Sequence, residues 1–219
     1  MPNITTGGRS GAQDAAQTVL IIDDNELFRS SMDSLFRSIG LRTALFASAH
    51  EFLEASLPQT PSCIVVDVRM PKMSGLDLQS ELVSRQVRTP VIIMTGHADV
   101  PMTVKAMKAG AVDFLSKPFR DQDIIDAVTA AISKDGQRRA QELATVNVRA
   151  RFEALTPRER EVMMLVVSGL LNKQAAAKLG LQEITVKLHR ASLMKKMGAG
   201  SLPDLVRMAE ALERGQGGA

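Results

Sequence analysis

The sequence predicts two domains of different class, an α/β domain built on a parallel sheet and then a smaller unit made of helices alone. Three observations carry this reading. Between residues 18 and 133 short apolar runs alternate five times with stretches of helical periodicity, the pattern of consecutive βα units. From Thr156 onward the periodicity is helical only. The charge also changes sign along the chain. Through Ser133 there are 12 Lys+Arg against 15 Asp+Glu, a balance of −3, and from Lys134 onward 15 against 9, a balance of +6 within the net +3. An acidic front and a basic back call for different partners, with nucleic acid the leading candidate for the back.

The bulk numbers agree. A chain of 219 residues, 45% hydrophobic and 23% charged, has room for two modest cores. One cysteine, Cys63, excludes an internal disulfide framework and fits a reducing cytosol. No apolar run approaches the roughly 20 residues needed to span a bilayer. The opening "MPNITTGGRSGAQDAAQ" (1–17) lacks the apolar core of a signal peptide and reads as a flexible lead-in.

"TVLIIDD" (18–24) is the first strand, an apolar run ending in carboxylates. "NELFRSSMDSLFRSIG" places Leu27, Phe28, Met32, Leu35, Phe36 and Ile39 at helical spacing and closes on Gly40. A second strand, "LRTALFA", and a helix near 48–57 follow. "CIVVDVRMPKMSG" (63–75) opens with the most apolar strand, buried on both faces as in a sheet covered by helices, and ends it on Asp67. A helix near 75–85, the strand in "TPVIIMTG", a helix at 99–109, a short strand in "AVDFLSKPF" and a helix at 121–133 complete five units. They predict a right-handed, doubly wound parallel sheet of flavodoxin-like order 2-1-3-4-5.

In that order the ends of strands one, three, four and five are neighbours. They deliver Asp23 and Asp24, Asp67, Thr95 with Gly96, and Ser116-Lys117-Pro118. Three carboxylates in one pocket repel each other unless a cation sits among them, and hard oxygen donors with room for water and phosphate oxygens suit Mg²⁺. A carboxylate there can accept a phosphoryl group as an aspartyl phosphate. Lys117 would then neutralise the phosphoryl oxygens while the Thr95 hydroxyl bonds one of them. A lone Asp after a strand is most often a turn residue or cap; acids, Thr and Lys at four strand ends form a constellation. The rival, a nucleotide or flavin site, would want a Gly- or Ser/Thr-rich loop after strand one. That position reads "DDNELF".

"IIDDNE", "VVDVRMPKMSG", "IIMTGHADV" and "DFLSKPF" resemble the receiver domain of two-component response regulators, over about 18–133, with wording nearest the FixJ branch of the FixJ/NarL family. The resemblance implies Asp67 as phosphoacceptor, Asp24 as a direct Mg²⁺ ligand, Asp23 as a ligand through water, and Arg69 as donor of its backbone carbonyl. Thr95 and Lys117 match the family's phosphate-sensing pair, the Lys117-Pro118 bond is commonly cis there, and Phe114 holds the position of an aromatic switch residue. A plain core phenylalanine is an equal reading of Phe114. The surface from roughly Asp99 to Phe119 is expected to carry the response to a partner.

Residues 134–152, polar and Arg-bearing, read as a linker that can be helical. Next, "TPRE" offers Thr156 as N-cap, proline at the first helical position and Glu159 to complete a capping box; "SLPD" (201–204) starts the last helix similarly. "NKQAAAKLGLQEITVKLHRASLMKKMG" (172–198) has the spacing of a helix-turn-helix. Ala176 lets two helices approach, Gly180 permits the turn, and Val186 packs between them. In the second helix, about 183–196, Ile184, Val186, Leu193 and Met197 are expected in the core, with Thr185, Lys187, Leu188, Arg190 and Ala191 facing outward to DNA. A plain packed hairpin accounts for the small residues but not for that Lys/Arg/Thr face. With "LTPREREVM" and "ITVKLHRASLMKKMGAGS", the region 153–213 resembles the LuxR-type four-helix output domain of the same family, and 214–219 is expected to be a flexible tail. The resemblance implies base-facing positions for Lys187, Leu188 and Ala191. Lys173, Gln174, Thr185, His189, Lys195 and Lys196 are candidates for backbone contact or support. Three dispersed histidines and one cysteine make a zinc site improbable.

The expected protein is a cytoplasmic transcription regulator, not an enzyme beyond Mg²⁺-dependent self-phosphorylation and self-dephosphorylation of Asp67. Its expected partners are a sensor histidine kinase, promoter DNA, RNA polymerase and, on phosphorylation, a second copy of itself, with no membrane. Three rivals stay open: a receiver that is never phosphorylated, a flavodoxin-like enzyme, and a module whose basic helices bind protein.

Overall fold

The computed structural model describes residues 17–97 and 99–216, with side chains through Glu213. All but Gln17 of the expected lead-in lies outside them. The elements are β1 (Thr18–Ile22), α1 (Glu26–Ser38), β2 (Arg42–Phe46), α2 (Ala49–Glu54), β3 (Ser62–Asp67), α3 (Gly75–Ser84), β4 (Val91–Thr95), α4 (Val100–Lys108), β5 (Asp113–Ser116), α5 (Asp121–Glu153), α6 (Pro157–Val167), α7 (Asn172–Leu179), α8 (Glu183–Met197) and α9 (Leu202–Gln216). The chain divides after Arg139 into two compact units.

The first unit is a five-stranded sheet of order β2-β1-β3-β4-β5, all pairings parallel. Strand side chains alternate between its faces. Val19, Ile21, Cys63, Val65, Ile92 and Met94 pack with Met32 and Phe36 of α1 and Ile124 and Val128 of α5. Leu20, Ile22, Ile64, Val66, Val91 and Ile93 pack with Phe52, Leu78, Leu82 and Ala106 of α2, α3 and α4. Every residue of β3 is buried, so the run of Ile64, Val65 and Val66 has helices on both sides. Burial pushes the Cys63 thiol far above its ordinary pKa, with the Asp135 carboxylate adding to the effect; the group is an inert core thiol.

α5 extends without a break through the stretch read as a linker. That stretch contains no proline and carries four Arg, three Ala and two Gln, all compatible with a helix. Within the first unit, its side chain Asp135 is 1% exposed, accepts the Ser62 N–H at 3.0 Å, and pairs with Arg138 and Arg139. Arg139 also donates to the carbonyls of Gln59 and Pro58. Burial alone would raise the Asp135 pKa; the bonds from Arg138, Arg139 and the Ser62 N–H outweigh it and hold the acid below its ordinary value.

The second unit gathers the end of α5 and α6 to α9 around Leu155, Val162, Met163, Val166, Leu193 and Met197, with Val148 and Phe152 packed against them. Thr156 and Glu159 form the capping box of α6, with Pro157 in its first turn. Gly180 ends α7 in the left-handed conformation, φ +65°, where a Cβ is strained. Two expectations are corrected. Ile184 is not a core residue, being 59% exposed: it precedes the buried Val186 by two residues, which places it roughly 200° around the helix. The tail expected from 214 is helical as far as Gln216.

One glycine positions the end of β3. A Cβ on Gly75 would lie 2.3 Å from the Asp67 carbonyl oxygen and 3.2 Å from a Val66 methyl, while the Gly75 N–H bonds the Val68 carbonyl at 3.0 Å. The start of α3 is therefore seated directly on the strand end. Gly75→Ala should force the two apart and destabilise the first unit by about 1–3 kcal/mol, the usual cost of overpacking. Denaturant unfolding of the variant and the parent measures the difference; equal midpoints would show that the contact gives way freely.

Candidate functional site

The register that pairs Ile22 with Val66 carries on past the last strand residues, so Asp23 stands beside Asp67. Two strands further on, Thr95 pairs with Ser116, which sets Lys117 at the same edge, its N–H bonded to the Thr95 carbonyl at 2.7 Å. Strand polarity thus delivers all four residues to the carboxyl end of the sheet.

There the Lys117 ammonium lies 2.7 Å from Asp23 Oδ2 and 2.7 Å from Asp67 Oδ1. Asp67 Oδ2 accepts the Arg69 N–H at 2.6 Å, and Asp23 Oδ1 accepts the Asn25 N–H at 2.9 Å. Both carboxylates are buried, Asp23 at 1% and Asp67 at 7% exposure. Buried charges persist only when paired and hydrogen-bonded, and every carboxylate oxygen of this pair has a donor. Thr95 is fully buried; its hydroxyl oxygen accepts the His97 N–H at 3.3 Å. The Lys117-Pro118 peptide is cis. Phe114 is half-buried and packs on the α2–α3–α4 side of the sheet.

Two of the three expected carboxylates meet at Lys117; Asp24 is exposed. Successive residues leaving a strand tend to point opposite ways, which accounts for the contrast between buried Asp23 and exposed Asp24. Among the described residues, no three His, Cys, Asp or Glu side chains form a metal-binding group. The donor set still fits Mg²⁺, which takes one or two carboxylates plus water and phosphate oxygens, and the two buried acids already converge on one cation.

Three contacts were not legible in the sequence. Lys117 Nζ sits 3.8 Å above the Phe28 ring, Phe119 meets that ring edge-on at 6.3 Å, and Arg29 donates to the Asp23 carbonyl at 2.6 Å. Phe28 and Arg29 fall in the first turns of α1, so the helix after β1 provides both an aromatic floor for the ammonium and a brace for the acidic loop. The only available signal was an aromatic five residues beyond Asp23, and core packing explained it equally well.

In the second unit, Lys187, Leu188 and Ala191 are exposed on α8 and Thr185 is half-buried. Lys187 lies 3.0 Å from Glu183, an exposed pair of little energy that DNA can displace. Ile184 shares the face of Leu188 one turn earlier, and Leu171 is also exposed. Lys173 and Lys195 are exposed and His189 is half-buried. The remaining candidates have partners within the protein. Arg190, expected to face outward, is half-buried and donates to Asn172 Oδ1 at 3.0 Å. Gln174 caps α7 through the Leu171 N–H at 2.8 Å. Lys196 reaches Glu159 at 2.7 Å, where Ser192 also donates, at 2.6 Å. The bonds from Lys196, Ser192 and the Thr156 N–H hold the Glu159 pKa down to about 2, so this buried acid stays ionised and ties α6 to α8.

Comparison with known proteins agrees with this geometry. The response regulator receiver domain family matches residues 19–129, and the luxR family of bacterial regulatory proteins matches 153–209. Nodulation protein W of Bradyrhizobium diazoefficiens is 52% identical over 206 residues, 94% of this chain and 90% of that protein. Transcriptional regulatory protein FixJ of Azorhizobium caulinodans is 48% identical over 191 residues, 87% of this chain and 90% of that one. The solved structure of the response regulator StyR, 41% identical, covers 90% of this chain and 99% of its own with a TM-score of 0.81. The chain belongs to the FixJ-like response regulators, transcriptional regulators that join a receiver domain to a LuxR-type DNA-binding domain.

Proposed function

We propose that this regulator is switched by phosphorylation of Asp67 by a sensor histidine kinase and that the switch controls promoter binding through α8. The observation that carries the reading is the Lys117 ammonium held between Asp67 and Asp23, with Thr95 buried at the next strand end. A carboxylate oxygen of Asp67 attacks the phosphorus of a phosphohistidine; the new P–O bond forms as the P–N bond breaks, and the kinase imidazole leaves with the electron pair. Lys117 moves from carboxylate to phosphoryl oxygen and stabilises the charge that spreads over the transferred group. Asp24, Asp23, Asp67 and the Arg69 carbonyl would hold Mg²⁺, which when bound supplies further neutralisation of phosphoryl charge. The same residues account for self-phosphorylation from small phosphodonors and for hydrolysis, with no other enzymatic activity.

The Thr95 hydroxyl, engaged with the His97 backbone in this state, turns to a phosphoryl oxygen, and Phe114 moves into the space released. Phosphorylation thereby biases a pre-existing equilibrium. Its outlet is the surface between Asp99 and Phe119. On α4, Val100, Val104 and Met107 are exposed at one-turn spacing, an apolar stripe suited to a second copy of the chain. A dimer in turn matches paired half-sites on DNA, where RNA polymerase is the further partner. The receiver occupies 18–133, the DNA-binding domain 153–213, and α5 joins them. Among the described residues no helix is long and apolar enough to cross a membrane, and a cytoplasmic location follows from the partners proposed.

Asp67→Asn should abolish phosphoryl incorporation from a labelled kinase or acetyl phosphate while the chain stays folded by circular dichroism. Label persisting in that variant would place the acceptor elsewhere. Lys187→Ala should weaken operator binding about ten-fold, the loss of one good contact, with phosphorylation intact. An unchanged operator affinity would remove α8 from the DNA interface.

A further inference from the structure

α8 is apolar on two opposite sides. Val186, Leu193 and Met197 are buried in the core of the second unit. On the other side Ile184 is 59% exposed and Leu188 is 66% exposed, and Ala191 is exposed one turn further on. At roughly 100° per residue these three positions lie within about 60° of one another, so they form one strip along the first half of the helix. A single exposed apolar side chain is ordinary; a strip of them on the helix that a LuxR-type domain offers to DNA is not.

The polar side chains beside the strip are largely committed within the protein. Arg190, whose free guanidinium would suit guanine, donates to Asn172 Oδ1 at 3.0 Å. Gln174, of the residue type that reads adenine with both amide atoms, already accepts the Leu171 N–H at 2.8 Å. Ser192 donates to Glu159 at 2.6 Å. The strip itself presents methyl and methylene surface with no hydrogen-bonding group. In the major groove the matching feature of a base edge is the thymine C5-methyl. Exposed Lys173, Lys187 and Lys195 make nucleic acid, rather than an apolar protein surface, the fitting occupant.

We propose that Ile184 is a specificity-determining residue: with Leu188 it forms a hydrophobic pair that reads the methyl groups of two thymines in each half-site. The inference rests on the reading of α8 as the DNA-reading helix and deepens it by naming the base chemistry recognised. Ile184 is the second residue of α8, and recognition helices present their N-terminal residues to base edges. Ile184 and Leu188 are separated by about 6 Å of helix rise, against roughly 3.4 Å between successive base pairs. The two thymines therefore lie one or two base pairs apart.

The test begins by selecting duplexes from a random library with the full-length protein, Mg²⁺ and beryllofluoride. Each thymine of the enriched half-site is then replaced in turn by deoxyuridine, which removes the methyl group and keeps the pairing. The expected result is one or two positions where deoxyuridine weakens binding about four-fold, the effect of one buried methyl group. Ile184→Ala should weaken binding to the thymine duplex by a similar factor, with the chain folded by circular dichroism. On the duplex carrying deoxyuridine at the position Ile184 reads, the same substitution should cost nothing further. Leu188→Ala should behave likewise at the neighbouring position. An enriched half-site without thymine, or deoxyuridine without effect at every thymine, would overturn the inference and leave α8 as the DNA-reading helix. Losses from Ile184→Ala and deoxyuridine that add in full at every position would overturn it too, because groups in contact do not act independently. Enrichment of no duplex at all would overturn the DNA-binding reading and this inference with it.

Discussion

The first domain depends on one ammonium group. Asp23 and Asp67 end adjacent parallel strands about 4.8 Å apart, where two buried carboxylates repel each other. Lys117, delivered by β5 two strands away, stands 2.7 Å from both and makes the cluster tolerable. The arrangement is also unfinished, because two carboxylates against one cation leave negative charge. Under the proposed function that imbalance would favour a divalent metal, and a phosphoryl group would add negative charge that competes with the acids for Lys117. A site held by one shared lysine in this charge state would reorganise in another, which is the property a switch requires.

The surrounding structure keeps this cluster in place. Phe28 supports the lysine from below, Arg29 bonds the Asp23 carbonyl, and Gly75 lets α3 close on the Asp67 carbonyl. The second domain uses related physics for another end. Glu159 is buried and ionised, but its partners Ser192, Lys196 and the Thr156 N–H make it a brace between α6 and α8. Its three donors, from α6's cap and from α8, fasten it in place. The receiver acids instead share a single lysine, the arrangement on which the proposed chemistry rests.

The strands and their order were legible because apolar runs ending on Asp, Thr and Lys are a strong pattern. The helix-turn-helix was legible from Ala176, Gly180 and Val186. Four features were misread or missed for physical reasons. Ile184 was placed in the core because it is apolar, yet burial follows the angle around the helix and surface apolar residues are common. Glu159 was legible as a capping residue, a local role, but its bonds to Ser192 and Lys196 join positions 33 and 37 residues away, and no local spacing encodes them. The inward turn of Asp23 and outward turn of Asp24 depend on where β1 stops, and strand ends are the hardest boundary to read from sequence. The linker was read as helical, but that it is one unbroken helix with α5 was not legible, since a helix exposed over much of its length carries no apolar stripe to show its continuity.

The central claim is that charge arriving at Asp67 is converted into assembly of the regulator. Sedimentation of the full chain with Mg²⁺, with and without beryllofluoride as a phosphoryl mimic, in wild type and in Asp67→Asn, tests it most directly. The account predicts that wild type alone doubles in mass, and only with the mimic. A gain of mass in both proteins, or in neither, would contradict it.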